Sequence, residues 1–205
     1  MIKDSIINAF SRLYPTVLIL IVIICSIRIT WLIKNNQKIV IYKELFSLGF
    51  ILYLLFLYNI VTYQDVYSIT GASNFTPFRE ILRYKFGSEL FFKNVIGNIV
   101  IFMPYGYFVS YYLKPKKVGL VCVLTLIASI TIELTQLSIG RVFDIDDIIL
   151  NFLGGVLGCI IYIALCAVKN YIPSILYKDV FLSIYVILIT ALLCFYFHSI
   201  GIRLW

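Results

Sequence analysis

Glu133 and Gln136 stand three residues apart near the end of a long apolar run, and Asp144, Asp147 and Asn151 follow at i, i+3, i+7. Each set falls on one helical stripe. Asn94 and Asn98, four apart, open another apolar run. Counted inward from the expected helix ends, Asn98, Glu133 and Asn151 each lie about four residues deep, roughly 6 Å along a helix. Three polar side chains from three helices are therefore expected to share one layer. An ionisable residue at such depth is a functional candidate by default. Arg141 is the expected counter-ion of Glu133, with Arg79 as a second candidate. Glu133, Asp144 and Asp147 could divide general acid and base roles, or supply oxygen ligands to a divalent cation, the cofactor such a set would take. Arg79 or Arg141 could clamp a phosphate. The competing structural role is interhelical hydrogen bonding and capping. That role is the expectation for Asp146, which faces off the stripe, while Asn94 fits either.

The elements that carry these residues follow from composition. The chain has 205 residues, 62% hydrophobic and 13% charged, where a soluble domain carries about 25% charge. Repeated apolar runs of about twenty residues have the length of membrane-crossing helices. The expected fold is all-α, a polytopic transmembrane bundle of about six spans. The net charge of +7 is read as basic loops beside an anionic leaflet, with no nucleic-acid partner. Cys25, Cys122, Cys159, Cys166 and Cys194 fall inside apolar runs without Cys-x-x-Cys spacing, and His198 has no nearby His or Cys. Neither a disulfide framework, a zinc site nor a Ser-His dyad is expected.

Residues 1–63 read as a mildly amphipathic start (1–14), with Pro15 in the first turn of the span that follows, and two spans at 15–33 and 44–63. Arg28 is expected to snorkel toward Lys34 or to pair with an acid on another helix. Residues 64–168 form the core, with an interfacial connection and spans at 94–113, 118–137 and 147–168. Within the connection, Thr76 is the expected N-cap and Pro77 the first residue of a short amphipathic helix near 77–86, which Gly87 ends. Pro104 and Gly106 predict a kink or partial unwinding. Gly154, Gly155 and Gly158 permit close helix contact. Residues 169–205 hold a basic loop and a last span at 181–199. Six spans place both termini on one side, and the 17 Lys/Arg then divide eight to eight with Arg28 inside a span. Charge alone leaves orientation open, but the short basic connections favour a cytoplasmic position for themselves and an outward one for the motif loops.

Four motifs, Asn74–Phe78 (NFTPF), Asn98–Gly106 (NIVIFMPYG), Glu133–Gln136 (ELTQ) and Arg141–Asn151 (RVFDIDDIILN) followed by Gly154–Gly158 (GGVLG), cover about 74–160. In this order and spacing the chain resembles the VanZ-like family of membrane proteins. The resemblance implies four core helices with outward motif loops in a bacterial cytoplasmic membrane. It also implies an association with reduced susceptibility to teicoplanin and other lipid-bearing glycopeptides, without naming a reaction. The candidate ligand site is then Asn74, Pro77, Phe78, Arg79, Asn94, Asn98, Pro104, Gly106, Glu133, Gln136, Arg141, Asp144, Asp147 and Asn151.

Three function classes remain open. A binding protein would hold an amphiphile, such as a membrane lipid, a lipid-linked cell-wall intermediate or a lipoglycopeptide. Polar groups would meet its headgroup, and Phe78, Phe91, Phe102, Tyr105 and Tyr107 would line the walls. An intramembrane enzyme would use Glu133, Asp144 and Asp147 on a lipid-linked phosphate or sugar, although the chain lacks signatures such as His-Glu-x-x-His or Gly-x-Ser-x-Gly. A small transporter or flippase would rest on the expected break at Pro104–Gly106 alone.

Overall fold

A computed structural model describes residues 2–63, 73–115, 118–169, 171 and 173–199. In chain order its helices are α1 (Ile2–Lys34), α2 (Ile41–Tyr63), α3 (Arg79–Arg83), α4 (Glu89–Phe91), α5 (Gly97–Leu113), α6 (Gly119–Ser138), α7 (Ile145–Lys169) and α8 (Asp179–Ser199). Among the described residues, five helices are long and apolar enough to cross a membrane: Pro15–Lys34, Ile41–Thr62, Glu89–Leu113, Gly119–Ser138 and Ile145–Lys169. α8 adds a further apolar helix of 21 residues. The protein is an all-α, multi-pass membrane helix bundle. The amphipathic face expected of 1–14, and the side chains of Cys194 and His198, lie outside the described residues. Cys25, Cys122, Cys159 and Cys166 are free thiols.

The chain divides into two compact units, Met1–Ile60 with Ile172–Trp205, and Val61–Tyr171. In the first, α1 runs unbroken through Pro15 instead of starting there. Arg28 is paired, as one of its two expected roles required. Its Nε and Nη2 donate to the Glu44 carboxylate at 2.7 and 3.1 Å, and its guanidinium lies 4.9 Å from the Trp31 ring centroid. The backbone N–H of Tyr42, at the start of α2, donates to Ser183 Oγ of α8 at 3.3 Å.

The second unit holds the candidate residues. α5 and α7 run parallel, and α6 runs antiparallel to both. The buried face of α6 is Val121, Thr125, Ser129, Glu133 and Gln136, a stripe at helical spacing whose members are mostly small or polar. Such residues let helices in lipid approach closely and bond across the gap. Gly154, Gly155 and Gly158 of α7 are buried. A Cβ on Gly154 or Gly158 would overlap the α5 carbonyls of Ile99 or Met103, and one on Gly106 would overlap the Gly155 carbonyl. Backbone meets backbone here, so only glycine fits.

Two expectations for α5 and α3 are corrected. Pro104 removes one hydrogen bond from α5, yet the helix continues to Leu113; the close backing by the α7 glycines accompanies that continuity. The departure from α geometry comes earlier, in a π-turn at Phe92–Ile96 that contains Asn94. The connection helix α3 spans five residues, shorter than 77–86. Its N-cap is Phe78, at φ 66°, and not Thr76. A bulky residue in the left-handed region is strained by about 1–3 kcal/mol, so something must hold it.

Candidate functional site

That holding group is Asp146. Its Oδ1 accepts the Phe78 N–H at 2.5 Å, and its Oδ2 accepts those of Glu80 at 2.7 Å and Ile81 at 3.2 Å. The first turn of α7 thus caps α3 from outside, satisfying donors that a helix start leaves open. The connection is fastened a second time at Asn74. Its N–H donates to the Phe143 carbonyl at 2.8 Å, and its carbonyl accepts from Ile145 at 3.0 Å. Asn74 Nδ2 donates to Asp144 Oδ1 at 2.9 Å. That oxygen also accepts the Asp146 N–H at 2.9 Å, capping α7 itself.

The turn before α7 is set by Gly140. At φ 84° it reverses the chain so that the Arg141 N–H returns to the Gln136 carbonyl at 2.9 Å and the Gly140 N–H to Leu137 at 3.1 Å. This pair of bonds is the Schellman ending of a helix. It turns Arg141 back over α6. Arg141 Nη1 donates to the Val61 carbonyl at 2.8 Å. With the Gln136 amide oriented to satisfy both neighbours, its nitrogen donates to Glu133 Oε1 at 2.9 Å and its oxygen accepts from Arg141 Nη1 at 2.7 Å. Gln136 therefore stands between the acid and its expected counter-ion. Glu133 is 1% exposed, and its Oε2 accepts the Asp144 N–H at 3.0 Å.

The polar residues form two rungs instead of one layer. In the outer rung, Asn98 Nδ2 donates to Asp147 Oδ1 at 2.5 Å, beside Glu133 and Asp144. In the inner rung, Asn151 Nδ2 donates to Ser129 Oγ at 3.0 Å. Ser129 precedes Glu133, and Asn151 follows Asp147, by four residues, so the rungs lie about 6 Å apart. Burial pushes the Asp144 carboxyl up, while its bonds from Asp146 and Asn74 pull it back. The Tyr84 phenol is likewise raised by burial, with Glu80, Asp147 and Asp144 contributing. Tyr84, Asp146 and Ser129 belong to this neighbourhood although none was a sequence candidate for it. Ser129 had a signal, its i, i+4 relation to Glu133.

Other expected site residues are placed elsewhere. Pro104 and Gly106 lie six and eight residues past Asn98, and Gly106 packs on Gly155, so they shape the α5–α7 seam. Phe102 is buried at 1% exposure and belongs to the core. Tyr105 donates to the Leu124 carbonyl at 3.3 Å. Pro77, Phe78 and Arg79 are exposed, and Asn94 is half-buried. No three Asp, Glu, His or Cys side chains among the described residues are placed to hold a metal ion. Glu133, Asp144 and Asp147 are thus not grouped in that way. Glu133 Oε2 is occupied by a backbone N–H, Asp144 Oδ1 by two donors and Asp147 Oδ1 by Asn98.

The VanZ/LLP1 family model matches residues 45–167, the stretch that holds the connection, α5, α6 and the start of α7. The chain belongs to the VanZ/LLP1 family. Protein VanZ of Enterococcus faecium is 31% identical over 115 residues, covering 54% of this chain and 69% of that relative. No solved structure matches the chain. Both rungs and the capped α3 fall inside the stretch that defines this chain as VanZ-like.

Proposed function

We propose that this VanZ-like protein binds an amphiphilic, lipid-linked molecule of the bacterial envelope at the Glu133–Arg141–Asp147 end of the Val61–Tyr171 unit. The site faces outward from the cytoplasmic membrane, and binding there lowers susceptibility to teicoplanin or related lipoglycopeptides. One observation carries this reading: half-buried Asn98, Arg141, Asp144 and Asp147 converge at one end of helices whose exposed side chains, such as Leu134, Leu137 and Leu153, are apolar. A ligand there meets polar groups at its head and apolar walls along its tail. Carboxylates outnumber Arg141, which favours a headgroup rich in hydroxyl and amide donors, such as a sugar-peptide, with Arg141 positioned for one phosphate. The transport alternative loses its motive, since α5 is helical through Pro104.

The test is teicoplanin susceptibility of a sensitive Gram-positive host expressing the chain. Protection is expected, and it should be lost in Glu133→Gln and Arg141→Ala at equal membrane abundance. Full protection by both variants would overturn the proposal.

A further inference from the structure

We infer that residues 75–92 form a wedge that enters the adjacent membrane leaflet and gathers anionic lipid headgroups. Phe75, Phe78, Leu82, Phe86, Leu90 and Phe92 are all exposed on this connection, Leu82 at 81% and Phe86 at 86%. Exposed apolar groups in such a cluster mark an interaction surface. They are held out by the structure. Asp146 fixes the start of α3. Ser88 Oγ accepts the Phe91 N–H at 3.2 Å, capping α4. The Phe86 and Phe91 rings lie 5.1 Å apart.

Two features select a lipid leaflet as the occupant. The segment runs directly into the membrane-length helix Glu89–Leu113, so its apolar surface continues that of a span. It also carries exposed Arg79, Arg83 and Lys85, with exposed Lys93 just beyond. Against them stand Glu80, which already pairs with Arg83 at 3.1 Å, and Glu89. Apolar tips flanked by surplus cations are the chemistry of interfacial segments at anionic membranes. The inference does not depend on what the polar site binds.

The experiment uses the full chain in vesicles, with Trp31→Phe and Trp205→Phe to remove native tryptophan. Leu82→Trp and Phe86→Trp are the probes. Val123→Trp, exposed in the second turn of the membrane-length helix α6, and Tyr171→Trp, 89% exposed in a connection, are the lipid and water references. The wedge predicts quenching at 82 and 86 by phospholipids brominated on their acyl chains, as for Val123→Trp. Quenching by aqueous iodide instead, as for Tyr171→Trp, would overturn it. Protection from both quenchers would also overturn it, because a second copy or another protein would then cover the face. In mixed vesicles, brominated phosphatidylglycerol should quench more than brominated phosphatidylcholine. The difference should vanish when Arg79, Arg83, Lys85 and Lys93 are all replaced by Gln. Equal quenching by the two lipids in the unneutralised chain would overturn the selection of anionic headgroups.

Discussion

The Asp146 carboxylate accepts the backbone N–H of Glu80 at 2.7 Å, so the first turn of α7 caps the start of α3 across 66 residues of sequence. Asp146 is 1% exposed and also serves Phe78 and Ile81. Replacing it with Ala would leave three N–H groups without that acceptor and release the strained Phe78 backbone. We expect Asp146→Ala to cost about 3 kcal/mol, read as a lower unfolding temperature in detergent and faster proteolysis within 79–83. An unchanged protein would show that the cap is dispensable.

The spans were legible because apolar runs of membrane length have few alternatives. Glu133, Gln136, Asp147 and Asn98 were legible as polar residues that lipid would not tolerate. Asp146 sits off the α7 stripe, so spacing alone gives it only a structural role. Its partner is the backbone of a distant connection, and no helical spacing encodes that. Ser129 is a lone serine in an apolar run, and only its i, i+4 relation to Glu133 ties it to the site. Pro104 by itself points to a break, because proline weakens a helix locally, yet α5 stays helical to Leu113 beside the α7 glycines.

The glycines separate into two classes by what a methyl group would meet. Gly106→Ala would drive a Cβ into the Gly155 backbone, which cannot rotate away. It should force α5 from α7 at a cost of about 3 kcal/mol. At Gly49 of α2 nothing lies within 4 Å, and Gly49→Ala should stabilise by up to about 1 kcal/mol. Thermal unfolding of the two variants in the same detergent checks both signs.

The inner rung should behave as one hydrogen bond. A double-mutant cycle on Ser129→Ala and Asn151→Leu should return a coupling of about 0.6 kcal/mol, and no more than about 1.7 kcal/mol. A coupling near zero would mean that the two side chains do not bond in lipid.

Asp144 gives a pH dependence of known sign. Its folded-state pKa is raised by burial, so the folded chain holds this proton to higher pH than the unfolded one. Its contribution to stability therefore falls as pH rises from its unfolded value, about 4, to the raised folded value, and is flat above. The fall should be shallower in Asp144→Asn than in the unaltered chain. Equal slopes of unfolding temperature against pH would contradict this.

The most direct measurement is saturable binding of a labelled lipid-linked cell-wall intermediate to the full chain in lipid nanodiscs. We predict saturation by the unaltered protein and about tenfold weaker binding, ~1.4 kcal/mol, in Glu133→Gln and in Arg141→Ala. Val123→Ala on the lipid-facing side of α6 should bind normally. Binding that never saturates, or that is equal in all four proteins, would contradict a ligand site at the Glu133–Arg141–Asp147 end.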